Sequence, residues 1–236
     1  MSFLKAGWKN LAIINYEIDA KVLEKYVPKG TEIDFWHGKC YVSVIGFLFH
    51  DTKILGVSVP FHIDFEEVNL RFYVKRYDNG IWKRGVVFIK EIVPKPAITL
   101  MANLLYKEHY ETLKMEYSHL ETDNSYRFTY KWFRKKKHNF IAVTTKKEPI
   151  PIAPNSEAEF ITEHYFGYTK FSSKKTYEYE VTHPRWQQYE IIDYKMNVDF
   201  EANYGVDFAF LQDKIPLSVM AAIGSKITIE NKKTIR

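Results

Sequence analysis

Apolar and polar residues alternate strictly from Glu67 to Val74, the most strongly patterned stretch of the chain. Because side chains alternate between the two faces of a strand, this pattern predicts a β-strand with one apolar and one polar face. The polar face carries an acid, an amide, a guanidinium and a phenol about 7 Å apart, and we call these residues the polar row: Glu67, Asn69, Arg71 and Tyr73. The row either faces water or lines a pocket.

Most of the remaining chain also has the pattern of short strands separated by turn residues. The triplet Asp78, Asn79 and Gly80 is typical of a hairpin reversal. Strands are predicted at residues 10–17, 32–36, 39–49, 67–77, 81–92, 116–121, 126–134, 140–145, 165–171, 176–182, 188–200, 207–211 and 226–230. Since hairpins dominate and βαβ units are absent, we predict a mostly antiparallel α+β fold with a strongly curved sheet or barrel.

Three helices are predicted. Asp19 is an N-cap candidate for residues 20–26, and Ser156 with Glu159 forms a capping box ahead of a helix ending at residue 163. The longest predicted helix covers residues 97–115 and is based on helical spacing of Ile98, Met101, Leu105 and His109. No shift in composition marks a boundary, so residues 1–236 are expected to form a single domain.

Composition narrows the class of protein. Aromatic residues make up 17% of the 236 residues, which suits strands and apolar-walled cavities. Cys40 is the single cysteine, which fits a reducing cytoplasm. The first eight residues have no apolar signal core, and no apolar run approaches the roughly 18 residues that span a bilayer. We therefore expect a cytoplasmic protein that does not interact with membranes.

Several kinds of site are not expected. The eight histidines are scattered without metal-binding spacing, so no metal is predicted. The chain has no Walker loop, no dinucleotide glycine fingerprint and no nucleophile elbow, so no cofactor is predicted. The net charge is +5, but the basic clusters fall in predicted turns, which favours a solvated surface over nucleic-acid binding.

Two lysines are candidates for covalent chemistry. Lys90 lies in an otherwise apolar strand, and Lys107 lies on the long predicted helix. A lysine removed from water has a lowered pKa and can act as an amine that forms a Schiff base with a carbonyl. The alternatives are that Lys90 pairs with a carboxylate or extends to the strand end, and that Lys107 faces water.

The run Glu-Val-Asn-Leu-Arg-Phe-Tyr-Val at residues 67–74 resembles the YqjF-like family of unknown function (domain of unknown function 2071). Further similar segments, which together span nearly the whole chain, are residues 30–34, 38–47, 85–88, 160–165, 183–186 and 216–219. This family is grouped with the acetoacetate decarboxylase-like superfamily. The resemblance implies a cone-shaped antiparallel β-barrel with a few helices and a central, largely apolar cavity.

The resemblance also implies roles for individual residues. In acetoacetate decarboxylases a Schiff-base lysine works with a glutamate and an arginine, for which Glu67 and Arg71 are the counterparts here. Lys107 lies near the place of that lysine but lacks its Pro-Lys-Lys context, and His164 stands where the family usually has arginine. The resemblance therefore implies the fold, whereas decarboxylase activity does not carry over with it.

We expect the protein to bind, or act on, a small organic molecule bearing a carboxylate or a carbonyl. Arg71 would hold the anion, Glu67 and Asn69 would orient it, and aromatic residues including Tyr73 would form the walls. An enzymatic role would be a lyase or decarboxylase-like reaction with Lys90 or Lys107 as the amine. The alternative is a non-catalytic module that binds an apolar ligand. The oligomeric state stays open.

Overall fold

The computed structural model describes residues 2–235, which contain fourteen strands and four α-helices. The strands are β1 Leu4–Glu17, β2 Glu32–Ile33, β3 Tyr41–Ile54, β4 Phe65–Asp78, β5 Ile81–Val93, β6 Tyr110–Thr112, β7 Lys114–Glu121, β8 Ser125–Arg134, β9 Lys137–Pro151, β10 Phe166–Ser172, β11 Lys175–Thr182, β12 Gln187–Asn197, β13 Ser218–Ile229 and β14 Lys233–Ile235. The helices are α1 Ala20–Leu23, α2 Pro96–Tyr106, α3 Glu157–Thr162 and α4 Phe200–Tyr204, with 3-10 turns at Glu24–Tyr26 and Val206–Asp213. The predicted strand-rich α+β class with few helices is confirmed.

The strands form one sheet in the order β14-β11-β10-β5-β4-β3-β1-β13-β12-β9-β8-β7. Strand β11 also pairs with β13, through Val181 with Ile229 and Thr182 with Thr228. This extra pairing joins seven strands, from β11 through β4 to β13, into a closed circuit of neighbours. Most pairs are antiparallel, whereas β5 pairs in parallel with β6 and β10.

The two faces of β4 point into different cores. Its apolar set, Val68, Leu70, Phe72 and Val74, is fully buried in a core shared with β8, β9 and α4. We call the face of the strand circuit that carries this apolar set the outer face, and the opposite face the inner face. The two layers approach closely at Gly46, where an added Cβ would lie 2.6 Å from the Tyr130 ring. A glycine at this position therefore allows β8 to pack directly on β3.

A β-bulge interrupts the pairing of β4 with β5. Leu70 pairs with Lys90, but the next residue, Arg71, pairs with Phe88, so Ile89 is an extra residue in β5. A bulge of this kind inverts the alternation beyond it. Lys90 consequently shares the outer face with Leu70, and Glu91 turns to the inner face opposite Asn69.

The helix predicted over residues 97–115 is wrong in length. Helix α2 ends at Tyr106 because Lys107 adopts a left-handed conformation (φ 59°), which terminates a helix. Asn103 then fixes the turn: its Oδ1 accepts from the Tyr110 amide at 2.8 Å and its Nδ2 donates to the Tyr110 carbonyl at 2.9 Å. His109 therefore lies outside the helix, and Tyr110 starts β6 beside β5.

Two predictions near the C-terminal end also need correction. Residues 207–211 belong to the 3-10 turn Val206–Asp213 and do not form a strand, and β12 stops at Asn197 ahead of α4. The Asp199 side chain caps α4 by accepting from the Ala202 amide at 3.0 Å, which explains the change of conformation there. Among the helices of residues 2–235, none is long and apolar enough to cross a membrane.

Candidate functional site

The polar row lies on the inner face and is buried. Glu67, Asn69 and Arg71 are 2%, 1% and 8% exposed, and all three line a pocket of about 60 Å³ that we call the inner pocket. Every strand of the closed circuit contributes to its lining, including Trp8, Phe47, Arg71, Phe88, Phe166, Tyr179 and Ile229. Of the two alternatives left open by the sequence pattern, a solvated face is not found, because these side chains are buried.

Tyr73, the fourth member of the row, supports the pocket from behind. Its hydroxyl lies 2.8 Å from the Ser43 hydroxyl, and its ring packs 4.8 Å from the imidazole of His164. It is not among the lining residues. The structure therefore brings three of the four predicted binding residues to the inner pocket.

Glu67 is held in place by two donors. Its Oε1 accepts from Asn69 Nδ2 at 2.9 Å, and its Oε2 accepts from the Tyr110 hydroxyl at 3.0 Å. Burial raises the pKa of Glu67 to about 7, against the lowering effect of these hydrogen bonds and of Arg71. A carboxyl with a pKa in this range can give or take a proton at neutral pH.

Two further buried glutamates adjoin Glu67, and the sequence patterns did not identify them. Glu91 is 2% exposed, and burial together with the charges of Glu108 and Glu67 raises its pKa well above the usual value. Glu108 accepts hydrogen bonds from Thr169 and Tyr179, and burial raises its pKa to about 7. Glu91 and Glu108 line an adjoining pocket of about 70 Å³ behind the inner one.

Glu91 was missed because the bulge in β5 cannot be read from alternation. A regular β5 would place Lys90 on the inner face with Phe88, whereas the structure places Glu91 there. Glu108 was missed because it was assigned to a helix, and it lies in the turn after α2.

Neither candidate lysine lies beside Glu67 and Arg71 in the structure. The Lys90 ammonium pairs with Glu111 Oε2 at 3.0 Å on the outer face. This is the alternative in which Lys90 pairs with a carboxylate. Lys107 is exposed at the end of α2. Within the described part of the chain, no lysine lines either the inner or the adjoining pocket.

His164 also lines the inner pocket. Its Nε2 lies 3.2 Å from Asp34 Oδ2, and Arg84 Nε donates to the same oxygen at 2.7 Å. Burial lowers the pKa of His164 to about 4, so the ring is neutral at pH 7. Because the Asp34 carboxylate only accepts, the ring proton lies on Nε2 and Nδ1 keeps a lone pair.

Several buried polar atoms of the inner pocket have no partner. They are Trp8 Nε1, Asn69 Oδ1, Arg71 Nε, Glu91 Oε2 and His164 Nδ1. Buried polar atoms are nearly always hydrogen-bonded, because an unmade bond costs about 1–3 kcal/mol. The concentration of five such atoms in one pocket therefore marks the place where a ligand would supply partners.

Arg71 differs from four less buried arginines of the chain. Arg76, Arg84, Arg134 and Arg185 each pair with a carboxylate. Arg71 forms no salt bridge among residues 2–235, although its charge lowers the pKa of Glu67, and the Tyr73 ring lies 5.6 Å from its guanidinium carbon. In the same described residues, no three His, Cys, Asp or Glu side chains are placed to hold a metal ion.

Comparisons with known proteins agree with this architecture. The enduracididine biosynthesis enzyme MppR complexed with pyruvate matches with a TM-score of 0.69 at 12% identity, over 99% of this chain and 90% of its own. Acetoacetate decarboxylase from Legionella pneumophila subsp. pneumophila str. Philadelphia 1 matches with a TM-score of 0.68 at 13% identity, over 99% and 87%. At these identities the likeness establishes the fold alone, which is acetoacetate decarboxylase-like.

Sequence relatives identify the family. The uncharacterized protein YqjF of Bacillus subtilis (strain 168) is 22% identical over 188 residues, which are 78% of this chain and 74% of YqjF. The model of the family DUF2071, described as an uncharacterized conserved protein, matches residues 5–225. Matched over residues 5–225, the chain belongs to the family DUF2071, and its fold is acetoacetate decarboxylase-like.

Proposed function

We propose that the closed circuit of strands is a cone-shaped β-barrel and that its inner pocket is a cavity that binds a small organic acid. The observation that carries this proposal is Arg71, a buried cation with an unpartnered Nε and no ion pair in the described chain. Glu67 lies on the same face of β4, but its pKa of about 7 leaves it only partly ionised at neutral pH, so it compensates the Arg71 charge incompletely. An incompletely paired buried charge is unfavourable. A ligand carboxylate would remove that cost and accept two parallel hydrogen bonds from the guanidinium.

The surroundings of Arg71 support the same ligand class. Trp8 Nε1 is a second unpartnered donor in the pocket lining, and rings such as Phe88 and Trp186 form apolar walls for the carbon skeleton. The structural neighbour MppR is complexed with pyruvate, a carboxylate next to a carbonyl. Ligand pockets commonly combine apolar walls with a few placed polar groups.

Any chemistry at this site is proposed to be proton transfer and not amine catalysis. The linings contain no lysine to form a Schiff base, as far as residues 2–235 are concerned. Glu67, with its pKa near 7, and the free Nδ1 of His164 are the groups that could exchange a proton with a bound acid.

Isothermal titration calorimetry with matched acids and amides tests the proposal. Pyruvate and butanoate are expected to bind, and pyruvamide and butanamide to bind at least tenfold more weakly, because only the acids provide a charged partner for Arg71. Arg71→Met should reduce binding of the acids by tenfold or more.

Arg127→Met is the matched control, since Arg127 lies on β8 outside both pockets. Binding of the acids should be unchanged in this variant. Equal binding of acids and amides, or binding that survives Arg71→Met, would instead favour the module that binds an apolar ligand.

A further inference from the structure

The wall between the inner and adjoining pockets consists of carboxyl groups that form no salt bridge with the described residues. Glu67, Glu91 and Glu108 are each 7% exposed or less, yet no lysine or arginine of residues 2–235 forms an ion pair with any of them. Buried carboxyl groups are normally paired with a cation or fully hydrogen-bonded. This wall is therefore incomplete in the protein alone.

Two acceptor atoms at this wall lie side by side without a donor. Asn69 on β4 and Glu91 on β5 are cross-strand partners, which places their Cβ atoms roughly 5 Å apart on the inner face. Asn69 Oδ1 and Glu91 Oε2 are both unpartnered, and Asn69 is 1% exposed. An amide oxygen beside a carboxyl oxygen calls for a group that donates hydrogen bonds.

The neighbouring donors are already engaged. The Asn69 amide donates to Glu67 Oε1, and the Tyr110 hydroxyl donates to Glu67 Oε2. The Tyr179 hydroxyl donates to Glu108 Oε1 at 2.8 Å. Tyr110 also lies next to Glu91, but its single proton is used on Glu67. A protonated Glu91 could supply one donor at the cost of staying neutral, whereas a ligand could supply donors to both Asn69 Oδ1 and Glu91 Oε2.

We infer that the ligand carries a primary ammonium group at this wall, opposite the carboxylate held by Arg71, and is thus a small amino acid with well-separated amine and carboxylate. The carboxylate end of this inference rests on the proposed function. An ammonium group has three donors and no acceptor, so it serves Asn69 Oδ1, Glu91 Oε2 and the Glu67 carboxylate together. A hydroxyl would bring one donor and additional lone pairs into an acceptor-rich wall.

The spacing of the polar row sets the separation of the two ligand ends. Arg71 follows Asn69 on the same face of β4, and same-face neighbours on a strand are about 7 Å apart. An amine on the carbon next to the carboxylate is too close to reach both residues. The amine therefore belongs at the far end of a short carbon chain.

The charges around the wall support a cationic partner. Glu67 and Arg71 face it from β4, Glu91 from β5, Glu108 from the turn after α2, Tyr110 from β6 and Tyr179 from β11. Burial without a nearby ammonium raises the pKa of all three carboxyl groups. A bound ammonium would reverse part of that effect, so ligand binding near pH 7 should release protons.

Calorimetry with 4-aminobutanoate, 4-hydroxybutanoate, butanoate and 2-aminobutanoate tests the inference. We expect 4-aminobutanoate to bind at least tenfold more tightly than the other three, with the measured enthalpy changing between buffers of different ionisation enthalpy because protons are released. Glu91→Gln should abolish this preference. Glu66→Gln is the control, since Glu66 is the adjacent residue on the opposite face of β4 and pairs with Leu48.

Asn69→Ala is a second variant that should also lose the preference, and thermal unfolding checks that each variant is folded. Equal binding of 4-hydroxybutanoate, or a preference retained in Glu91→Gln and Asn69→Ala, would overturn the inference. If butanoate binding depends on Arg71 but 4-aminobutanoate binds no more tightly than butanoate, this inference is overturned and the proposed function is supported. Absence of any Arg71-dependent binding overturns both.

Discussion

Two buried polar clusters in this protein differ in how completely they are hydrogen-bonded. In the cluster that we call closed, Asn139 Nδ2 is the one buried side-chain atom without a partner among residues 2–235, whereas the cluster that we call open has four such atoms. The open cluster is the wall of the inner pocket, Glu67, Asn69, Arg71, Glu91 and His164. The closed cluster lies beneath α4 and consists of Trp132, Arg134, Asn139, Asp199 and Asn203. In the closed cluster, Asn203 Oδ1 accepts from the Trp132 and Arg134 side chains, both at 2.9 Å. Its Nδ2 donates to Asn139 Oδ1 at 2.9 Å and to the Asp199 carbonyl at 2.7 Å.

The contrast between Asn69 and Asn203 shows what the state of a buried amide indicates. Both residues are at most 1% exposed. Asn203 uses both atoms of its amide in bonds that tie α4 to β8 and β9, whereas the Oδ1 of Asn69 has no partner. A satisfied buried network stabilises and specifies a fold, and an unsatisfied one costs stability unless a ligand completes it. The same residue type is thus structural in one place and, under the proposed function, a binding group in the other.

The largest effect is expected when one residue of each cluster is replaced: the change in the closed cluster should destabilise the protein, and the change in the open cluster should not. Asn203→Ala should lower the free energy of unfolding by about 4 kcal/mol, because it leaves buried groups of Trp132 and Asn139 without partners at about 1–3 kcal/mol each. Arg71→Met should leave stability unchanged or raise it, since it removes a buried charge without an ion pair. Denaturant unfolding measures both, and a comparable loss in Arg71→Met would mean that the open cluster is structural.

An intermediate effect is expected in the pH dependence of stability. The folded-state pKa of Glu67 is about 7 against 4.5 for the free group, so the folded protein binds more protons between these values. The contribution of Glu67 to stability therefore falls as the pH rises from 4.5 to 7. Glu67→Gln removes this contribution and should gain about 2–3 kcal/mol over the parent protein between pH 4.5 and pH 7.5.

His164 contributes with the opposite sign in an overlapping window. Its pKa is about 4 in the folded state and 6.5 in the free group, so its contribution is complete above pH 6.5 and is lost as the pH falls toward 4. The two contributions partly cancel in the parent protein. In Glu67→Gln the free energy of unfolding should therefore rise visibly between pH 4 and pH 6.5, because only the contribution of His164 remains. A parent-to-variant difference that does not change with pH would show that Glu67 is not perturbed by the pocket.

The sequence predicted much of the open cluster because one strand carries most of it. Strict alternation between Glu67 and Val74 needs only the geometry of a single strand, and the structure buries that strand on both faces. Glu91 depends instead on a bulge, where one extra residue in β5 decides which of two neighbours reaches the pocket. A local pattern carries no information on such a register shift.

Contacts between residues far apart in the sequence could also not be predicted from local patterns. Asp34 and His164 are 130 positions apart and meet because β2 pairs with β4 while β10 pairs with β5, the neighbour of β4. The end of α2 depended on one backbone conformation, at Lys107, and on the Asn103 side chain binding Tyr110. Helical spacing of apolar residues continues past that point in the sequence, so periodicity alone overestimated the helix.

The smallest effect is expected from Lys90, which belongs to the rim of the closed cluster and not to the open one. Its ammonium pairs with Glu111, and Glu111 also pairs with Arg134, which donates to Asn203. Lys90 is 29% exposed, so the pair is partly screened by solvent. Lys90→Met should therefore lower the free energy of unfolding by less than about 1 kcal/mol and leave binding of pyruvate unchanged. Borohydride reduction in the presence of pyruvate, followed by peptide mass spectrometry, is the decisive measurement. An adduct on Lys90 would require β5 to shift its register and bring the lysine to the inner face, which would erase the distinction between the two clusters on this strand.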